Sequence, residues 1–188
     1  MKNKNQNNRC FSLAETIIAT AILIYVLGAL LVVYNNFFKV YSNQQTKIKI
    51  GNSAREAVKE LQSAALQANQ IIVSHDFSGT VYGADQDTLV LKIPSVDGSG
   101  NIVSGKFDYA VFYLTGKNLF RLVEADATSS RPSGLNKISD SVSTITFTYN
   151  NADLALATKI DVDMEMQKIS GGQNVSYQLH QEIYLRNK

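Results

Sequence analysis

The chain has 188 residues, of which 18 are basic and 16 acidic, and its formal net charge is +2. This length allows one ordinary domain plus one further segment. Nothing in this balance marks a nucleic-acid binder, for which a basic face would be needed, so nucleic acid is not an expected partner.

The N-terminal region combines a short basic stretch, MKNKNQNNR, with a long apolar run. Thr16 to Tyr34 gives 19 residues without a charge, and the uncharged run reaches 23 when counted to Phe38. At 1.5 Å per residue a helix of this length is roughly 29–35 Å long, enough to cross a bilayer. The run is longer than the apolar part of a secretory signal, and no small-x-small cleavage site follows it. It also follows Cys10, whereas a lipoprotein signal has its apolar stretch before the cysteine. The sequence therefore predicts a transmembrane helix.

The residues around the start of this run resemble a type IV prepilin or pseudopilin N-terminus. They read Cys10, then Phe11-Ser12-Leu13-Ala14-Glu15, then the apolar helix. The resemblance implies cleavage by a prepilin peptidase between Cys10 and Phe11, N-methylation of Phe11, and a role for Glu15 in assembly by pairing with the new amine of a neighbouring subunit. Cys10 stands where the family nearly always has glycine, and the helix lacks the proline often found in mature pilins.

The implied cut changes the charge and the cysteine content. It removes Lys2, Lys4, Arg9 and the single cysteine, which leaves 15 basic and 16 acidic residues and no disulfide. The basic residues on the two sides of the span are nearly balanced, so the positive-inside rule does not decide the orientation. The resemblance implies that the leader is cytoplasmic and that the domain after the span lies on the outer side of the cytoplasmic membrane.

Beyond the span the apolar residues recur every three or four positions, which predicts one face of a continuing helix. These residues are Ile50, Ala54, Val58, Leu61, Ala65 and Ala68. One helix from about Ser12 to Asn69 would be roughly 85–90 Å long. A break near Asn35–Asn36 or Ser42–Asn43 is the alternative. The expected organisation is a leader over 1–10, a transmembrane or filament-core helix over 11–41, an amphipathic helix over 42–70, and a β domain over 71–188.

After Gln70 the apolar period changes to two, which predicts antiparallel strands with one face on the helix and one in water. The stretches are TLVLKI, DYAVFYL, LFRLV after a turn at 115–118, STITFTY, KIDVDMEMQ, and a final strand after SGGQN. The expected fold class is α+β and pilin-like: a long N-terminal helix packed on an antiparallel sheet.

The strand order also resembles the W-type minor pilins and J-type minor pseudopilins. The residues that carry this second, more diffuse resemblance are Tyr113, Gly116, Leu119, Arg121, Leu185, Arg186 and Asn187.

Enzymatic and metal signatures are weak. His75 and His180 have ordinary loop or strand-surface surroundings, and zinc lacks ligands. Asp97, Ser99, Asn101 and Asp108 occupy positions one, three, five and twelve of a calcium-type loop, but Ile102 replaces the glycine at position six. A flexible hairpin connection explains the same stretch. No cofactor is expected.

Two further surfaces are candidates for contacts. An aromatic group near the outer end of the span, Tyr25, Tyr34, Phe37, Phe38 and Tyr41, is typical of an interfacial belt or of helix packing. The polar segment 125–136 is a candidate recognition loop, and replacing residues 127–134 by a Gly-Ser link is expected to leave the domain folded.

These observations predict a structural subunit of a type IV pilus-like filament, minor or initiating, rather than an enzyme. Its expected partners are other pilin or pseudopilin subunits, the prepilin peptidase, a pilus or type II secretion assembly platform, and the membrane. DNA-binding pilins exist, but nucleic acid is not expected here. The alternatives are a signal-anchored surface protein that displays a binding domain and never polymerises, and an exported hydrolase on a membrane stalk.

Overall fold

The computed structural model describes residues 12–185, so Cys10, Phe11, Arg186 and Asn187 lie outside the described residues. It has a long N-terminal helix followed by antiparallel sheets, which confirms the α+β class. The helix, α1, covers Leu13–Gln67 without a break. In the part of the chain that the structure describes, ten strands follow: β1 Gln70–Ile71, β2 Ser74–Phe77, β3 Thr80–Gly83, β4 Thr88–Val96, β5 Ile102–Thr115, β6 Asn118–Glu124, β7 Gly134–Ser139, β8 Val142–Tyr149, β9 Lys159–Ser170 and β10 Gln173–Tyr184.

The chain divides into two compact units, residues 1–42 and 43–188. Within the first unit the described residues are helical from Leu13 onward, and every side chain from residue 12 to 41 is exposed. The second unit contains the remainder of α1 and all ten strands.

The strands of the second unit form three antiparallel sheets. A five-stranded sheet has the order β1-β4-β5-β6-β7, a three-stranded sheet the order β10-β9-β8, and β2 pairs with β3 alone. The two larger sheets meet where the Val142 amide donates to the Lys117 carbonyl and the Phe147 amide donates to the Gln86 carbonyl, at 3.1 and 2.7 Å.

The helix residues expected to face the sheet do so. Ile50, Ala54, Leu61, Ala65 and Ala68 are all at most 2% exposed, and they belong to one core with the inner faces of both larger sheets. Small residues at these positions let the helix backbone approach the sheet closely. The amphipathic pattern after residue 50 therefore gave a correct prediction of the buried face.

The prediction that each sheet has one face in water is wrong for the five-stranded sheet. Its outer face carries Val90 and Val111, which are fully buried with Phe77 beneath the β2–β3 hairpin. The hairpin turns at Ser78 and Gly79, which both have positive φ, as a two-residue turn of the primed type requires. The strands β1, β2, β3 and β7 were not predicted.

Candidate functional site

The part of α1 that lies in the first unit is the most unusual surface of the described residues. Among the described residues, α1 is the one helix long and apolar enough to cross a membrane. Its leucines, isoleucines and valines from residue 13 to 40 are between 46 and 80% exposed. Contiguous apolar surface of this extent marks a membrane or protein interaction site. The finding fits single-pass anchoring in a membrane.

Ser12 and Glu15 close the start of this helix as a reciprocal cap. The Glu15 amide donates to Ser12 Oγ at 3.3 Å, and the Ser12 amide donates to Glu15 Oε2 at 2.9 Å. This is the capping-box arrangement, in which two otherwise unpaired amides at the helix start are satisfied. Glu15 also lies where the helix dipole favours a negative charge. The carboxylate thus has an explanation within its own chain.

The aromatic residues of the first unit pair along the helix at a spacing of four. The Tyr34 and Phe38 rings are 6.1 Å apart, and the Phe37 and Tyr41 rings are 6.5 Å apart. All four are more than half exposed. This placement is consistent with either an interfacial belt or helix–helix packing.

The four calcium candidates are not arranged as a calcium loop. Asp97 Oδ1 accepts the amides of Ser99 and Asn101, each at 2.9 Å, and so closes the β4–β5 turn. These hydrogen bonds, with the Asn101 amide foremost, hold the pKa of Asp97 below its usual value. The turn is a hairpin connection, as the simpler interpretation predicted.

Asp108, the fourth candidate, has no oxygen left for a metal ion. It is fully buried in β5, where Oδ1 accepts Ser95 Oγ at 2.7 Å and the Asp126 amide at 2.9 Å. Oδ2 accepts Ser129 Oγ at 2.8 Å and also the Arg131 guanidinium. A carboxylate offers about four acceptor positions, and all four are used here. The hydrogen bonds of Asp108 are thus all made within the chain.

The same network corrects the interpretation of segment 125–136. The loop ends at residue 133, because 134–136 belong to β7. Arg131 joins Asp108 to the Pro94 carbonyl at 3.3 Å and to Gln67 Oε1 at 3.0 Å, so the loop is fastened to the sheet and to the end of α1. Exposed positions remain at 127, 128, 130, 132 and 133. Replacing residues 127–134 would remove Arg131 and leave Asp108 buried without a cation, so the expectation of a harmless replacement no longer holds.

The two histidines have different surroundings. His75 lies in β2, stacked on Tyr109 with ring centroids 3.6 Å apart, and its Nε2 is 2.8 Å from Glu124 Oε2. It is part of the hairpin that covers the outer face of the five-stranded sheet, which the sequence did not indicate. His180 is exposed on β10, with Nδ1 2.8 Å from Asp163 Oδ1, and this hydrogen bond raises the pKa of His180 above its usual value.

One group of side chains has metal-like spacing. Ligand atoms of Asp161, His180 and Glu182 lie within 4.8 Å of one another. Lys159 Nζ lies 3.0 Å from Asp161 and 3.1 Å from Glu182, so two of the three candidate ligands already pair with an ammonium. The arrangement is a surface ion-pair network.

The residues that carried the second resemblance have structural roles. Leu119 is fully buried and Leu185 is 7% exposed, while Gly116 makes the β5–β6 turn with a φ of +61°. Arg121 donates to Glu60 Oε2 on α1 at 2.6 Å. Tyr113 stacks on Phe120 with ring centroids 5.7 Å apart.

No family model matches the chain, and no curated protein is significantly similar to it.

Proposed function

We propose that the chain is a minor or initiating structural subunit of a type IV pilus-like filament. One observation carries the proposal: an exposed apolar helix of membrane-spanning length leads directly into the amphipathic helix of an α+β unit with its own core. In a filament such a helix would leave the membrane and pack against the helices of neighbouring subunits. The sequence resemblance at Cys10 to Glu15 supports the same function.

In this proposal the chain is inserted once into the cytoplasmic membrane, with its leader in the cytoplasm. A prepilin peptidase cuts between Cys10 and Phe11 and methylates the Phe11 amine. An assembly platform of a pilus or a type II secretion system then extracts the subunit, and the β unit faces outward. The role is structural and involves no catalysis.

A signal-anchored surface protein that never polymerises is the second candidate, and the cap at Glu15 favours it. Because Ser12 already satisfies Glu15 within the chain, no neighbouring subunit is needed to explain the carboxylate. The N-terminal sequence of the mature protein separates the two functions. A start at Phe11 supports the filament subunit, and a start at Met1 removes its main support.

The filament proposal assigns Glu15 a second partner, the Phe11 amine of a neighbouring subunit. Pairing the two charges in an apolar core would relieve the cost of burying either one alone. We expect Glu15→Val to leave membrane insertion and cleavage intact but to lower the ratio of subunit in sheared filaments to subunit in membranes. Glu15→Asp should fall between, since its carboxylate is one methylene shorter.

Ser12→Ala is the matched control, because it removes the cap hydroxyl at a cost of about 1 kcal/mol and keeps the carboxylate. Ser12→Ala should incorporate nearly as well as the parent chain. If Ser12→Ala and Glu15→Val lose incorporation equally, the cap alone explains the residue and the pairing is refuted. Incorporation of Glu15→Val at the parent level would also refute it.

A further inference from the structure

The outer face of the three-stranded sheet is acidic. The residues of β9 alternate, so that Ile160, Val162 and Met164 are buried while the side chains between them point away from the core. With the neighbouring strands they form a surface, called here the acidic face, that consists of Asp161, Asp163 and Glu165 on β9, Glu182 on β10 and the flanking threonines 144, 146 and 148 on β8.

The carboxylates of the acidic face differ in whether a basic side chain pairs with them. Asp161 and Glu182 are directly opposite each other across the strands, a pairing of like charges that costs stability, and Lys159 bridges them. Asp163 has His180 at 2.8 Å. Glu165 lies between the neutral side chains Thr144 and Gln178, and no basic side chain of the described residues pairs with it. Negative charge is therefore left over at the Asp163–Glu165 end.

The helix carries positive charge before the first acidic residue that it contributes to the second unit. Between Thr16 and Arg55 the chain has four basic residues and no acidic one. Lys47 and Lys49 are exposed, and neither is ion-paired within residues 12–185. Arg55 differs, since its guanidinium lies 5.8 Å from the centroid of the Tyr177 ring.

Within one chain the lysines and the acidic face lie on opposite sides of the same sheet. The helix packs on the inner face, where an added Cβ on Gly51 would lie 3.3 Å from the Tyr177 ring. Tyr177 and Leu179 point toward the core, whereas Gln178 and His180 are exposed on the other side of β10. The two charged surfaces can therefore meet only when they belong to different copies of the chain.

We propose that the acidic face of one copy docks on the Lys47–Lys49 segment of a second copy. The proposal rests on the proposed function, since a filament subunit must contact other copies through surfaces outside its apolar helix. The contact joins two different surfaces, so it is heterologous and can be repeated from copy to copy, as an open filament requires. Complementary charge fixes the register of such a contact and disfavours wrong pairings.

The test uses the full chain in its native membranes, expressed as two copies with different affinity tags. A zero-length carbodiimide cross-linker joins an ammonium only to a carboxylate that touches it. We expect doubly tagged dimers in which Lys47 or Lys49 is joined to Asp163 or Glu165, mapped by mass spectrometry. The yield should fall when the cross-linking is done at about 1 M salt, where screening acts within about 3 Å.

Charge reversal tests the same contact. Asp163→Lys/Glu165→Lys in both copies, or Lys47→Glu/Lys49→Glu in both copies, should lower the doubly tagged yield on the order of tenfold. When one copy carries Asp163→Lys/Glu165→Lys and the other carries Lys47→Glu/Lys49→Glu, the yield should be restored, because opposite charges face each other again. Asp85→Lys/Asp87→Lys makes the same charge change in an exposed loop and should have no effect.

Each result decides the proposal. It is overturned if neither reversal lowers the yield of doubly tagged dimers, or if the mixed pair does not restore it. It is also overturned if only Lys47→Glu/Lys49→Glu lowers the yield, because the lysines would then be assigned to lipid headgroups. A chain cut at Phe11 and incorporated into filaments without these cross-links refutes the contact and keeps the function. Cross-links in an uncut, unincorporated chain support the contact and refute the function.

Discussion

Asp108 is a fully buried carboxylate of the second unit. A carboxylate placed in the core costs several kcal/mol unless it is paired and hydrogen-bonded, and here four donors surround it. Those donors come from β4 and from the loop after β6, which includes Arg131, so one buried charge on β5 fixes the relative positions of three segments. Of these four donor groups, the Arg131 guanidinium is the one that carries a charge.

We predict that Arg131→Met lowers the free energy of unfolding by about 3 kcal/mol, because it leaves Asp108 buried without a cation. Urea unfolding of the detergent-solubilised chain measures this. Arg121→Met is the matched control: its pair with Glu60 is partly exposed, with side-chain exposures of 30% and 47%, so it should cost less than about 1 kcal/mol. Equal losses for the two variants would show that Asp108 does not depend on Arg131.

At the level of elements, the β2–β3 hairpin shows how a small unit acquires stability from packing. Two strands of four residues are too short to be stable alone. Phe77 is 4% exposed and packs edge-on against both His75 and Tyr82, with ring centroids 4.8 and 5.6 Å apart. Tyr82 in turn lies 4.8 Å from the Tyr113 ring, which joins the hairpin to the sheet.

Burial beneath this hairpin raises the pKa of Tyr113 to about 12 from the ordinary 10.0, and a hydrogen bond with Tyr82 is the second cause. The folded state then keeps a proton that the unfolded state loses. The resulting stability is complete below pH 10 and is lost as pH rises from 10 to about 12.

Phe77→Ala should loosen the hairpin, lower the free energy of unfolding by about 3 kcal/mol and move the Tyr113 pKa back toward 10. An ultraviolet pH titration measures the pKa of Tyr113. The same titration of Tyr113→Phe identifies which phenol ionises at the highest pH. Val81→Ala alters an exposed residue of the same hairpin and should change neither quantity appreciably, since surface substitutions stay within about 0.5 kcal/mol. A Tyr113 titration unchanged by Phe77→Ala would show that the hairpin does not bury it.

The elements with a long periodic pattern were predictable, and the short ones were not. Leu89, Leu91 and Ile93 mark β4 by alternation alone, and the helix face from Ile50 is equally regular. The strands β1 to β3 have two to four residues each, too few for a period to appear, and the stretch SHDFSGTVYG is polar. The Asp108 network joins residues up to 64 positions apart, from Gln67 to Arg131, and no local pattern encodes such a meeting. The Ser12–Glu15 cap, by contrast, is a local motif, and sequence alone could have identified it.

Along the whole chain, the exposed apolar stretch and the buried core come from separate parts of the sequence. The buried apolar residues of the core all come at or after Ile50, and the continuous exposed apolar stretch ends by Tyr41. Removing the first stretch therefore takes nothing from the core that the helix and the sheets share.

We predict that residues 43–188, produced without the preceding segment, remain soluble without detergent and unfold cooperatively in urea. Circular dichroism and sedimentation measure the secondary structure and the association state. The full chain, by comparison, should need detergent or lipid. Aggregation of residues 43–188, or unfolding without a cooperative transition, would show that the first unit supports the second.

The contact between Asn43 and Gln173 joins the first and the last elements of the second unit. Asn43 Nδ2 donates to Gln173 Oε1 at 2.8 Å across a sequence separation of 130 residues, and β10 supplies Ile183 to the same core. Loops of this length close slowly, and sheets dominated by distant pairings fold in milliseconds to seconds. The helix is synthesised long before β10, so the part of its face around Gly51, which packs on Tyr177, stays uncovered until the last strand arrives. The shared core is therefore complete only once translation has passed residue 183, which makes β10 the strand that closes the second unit.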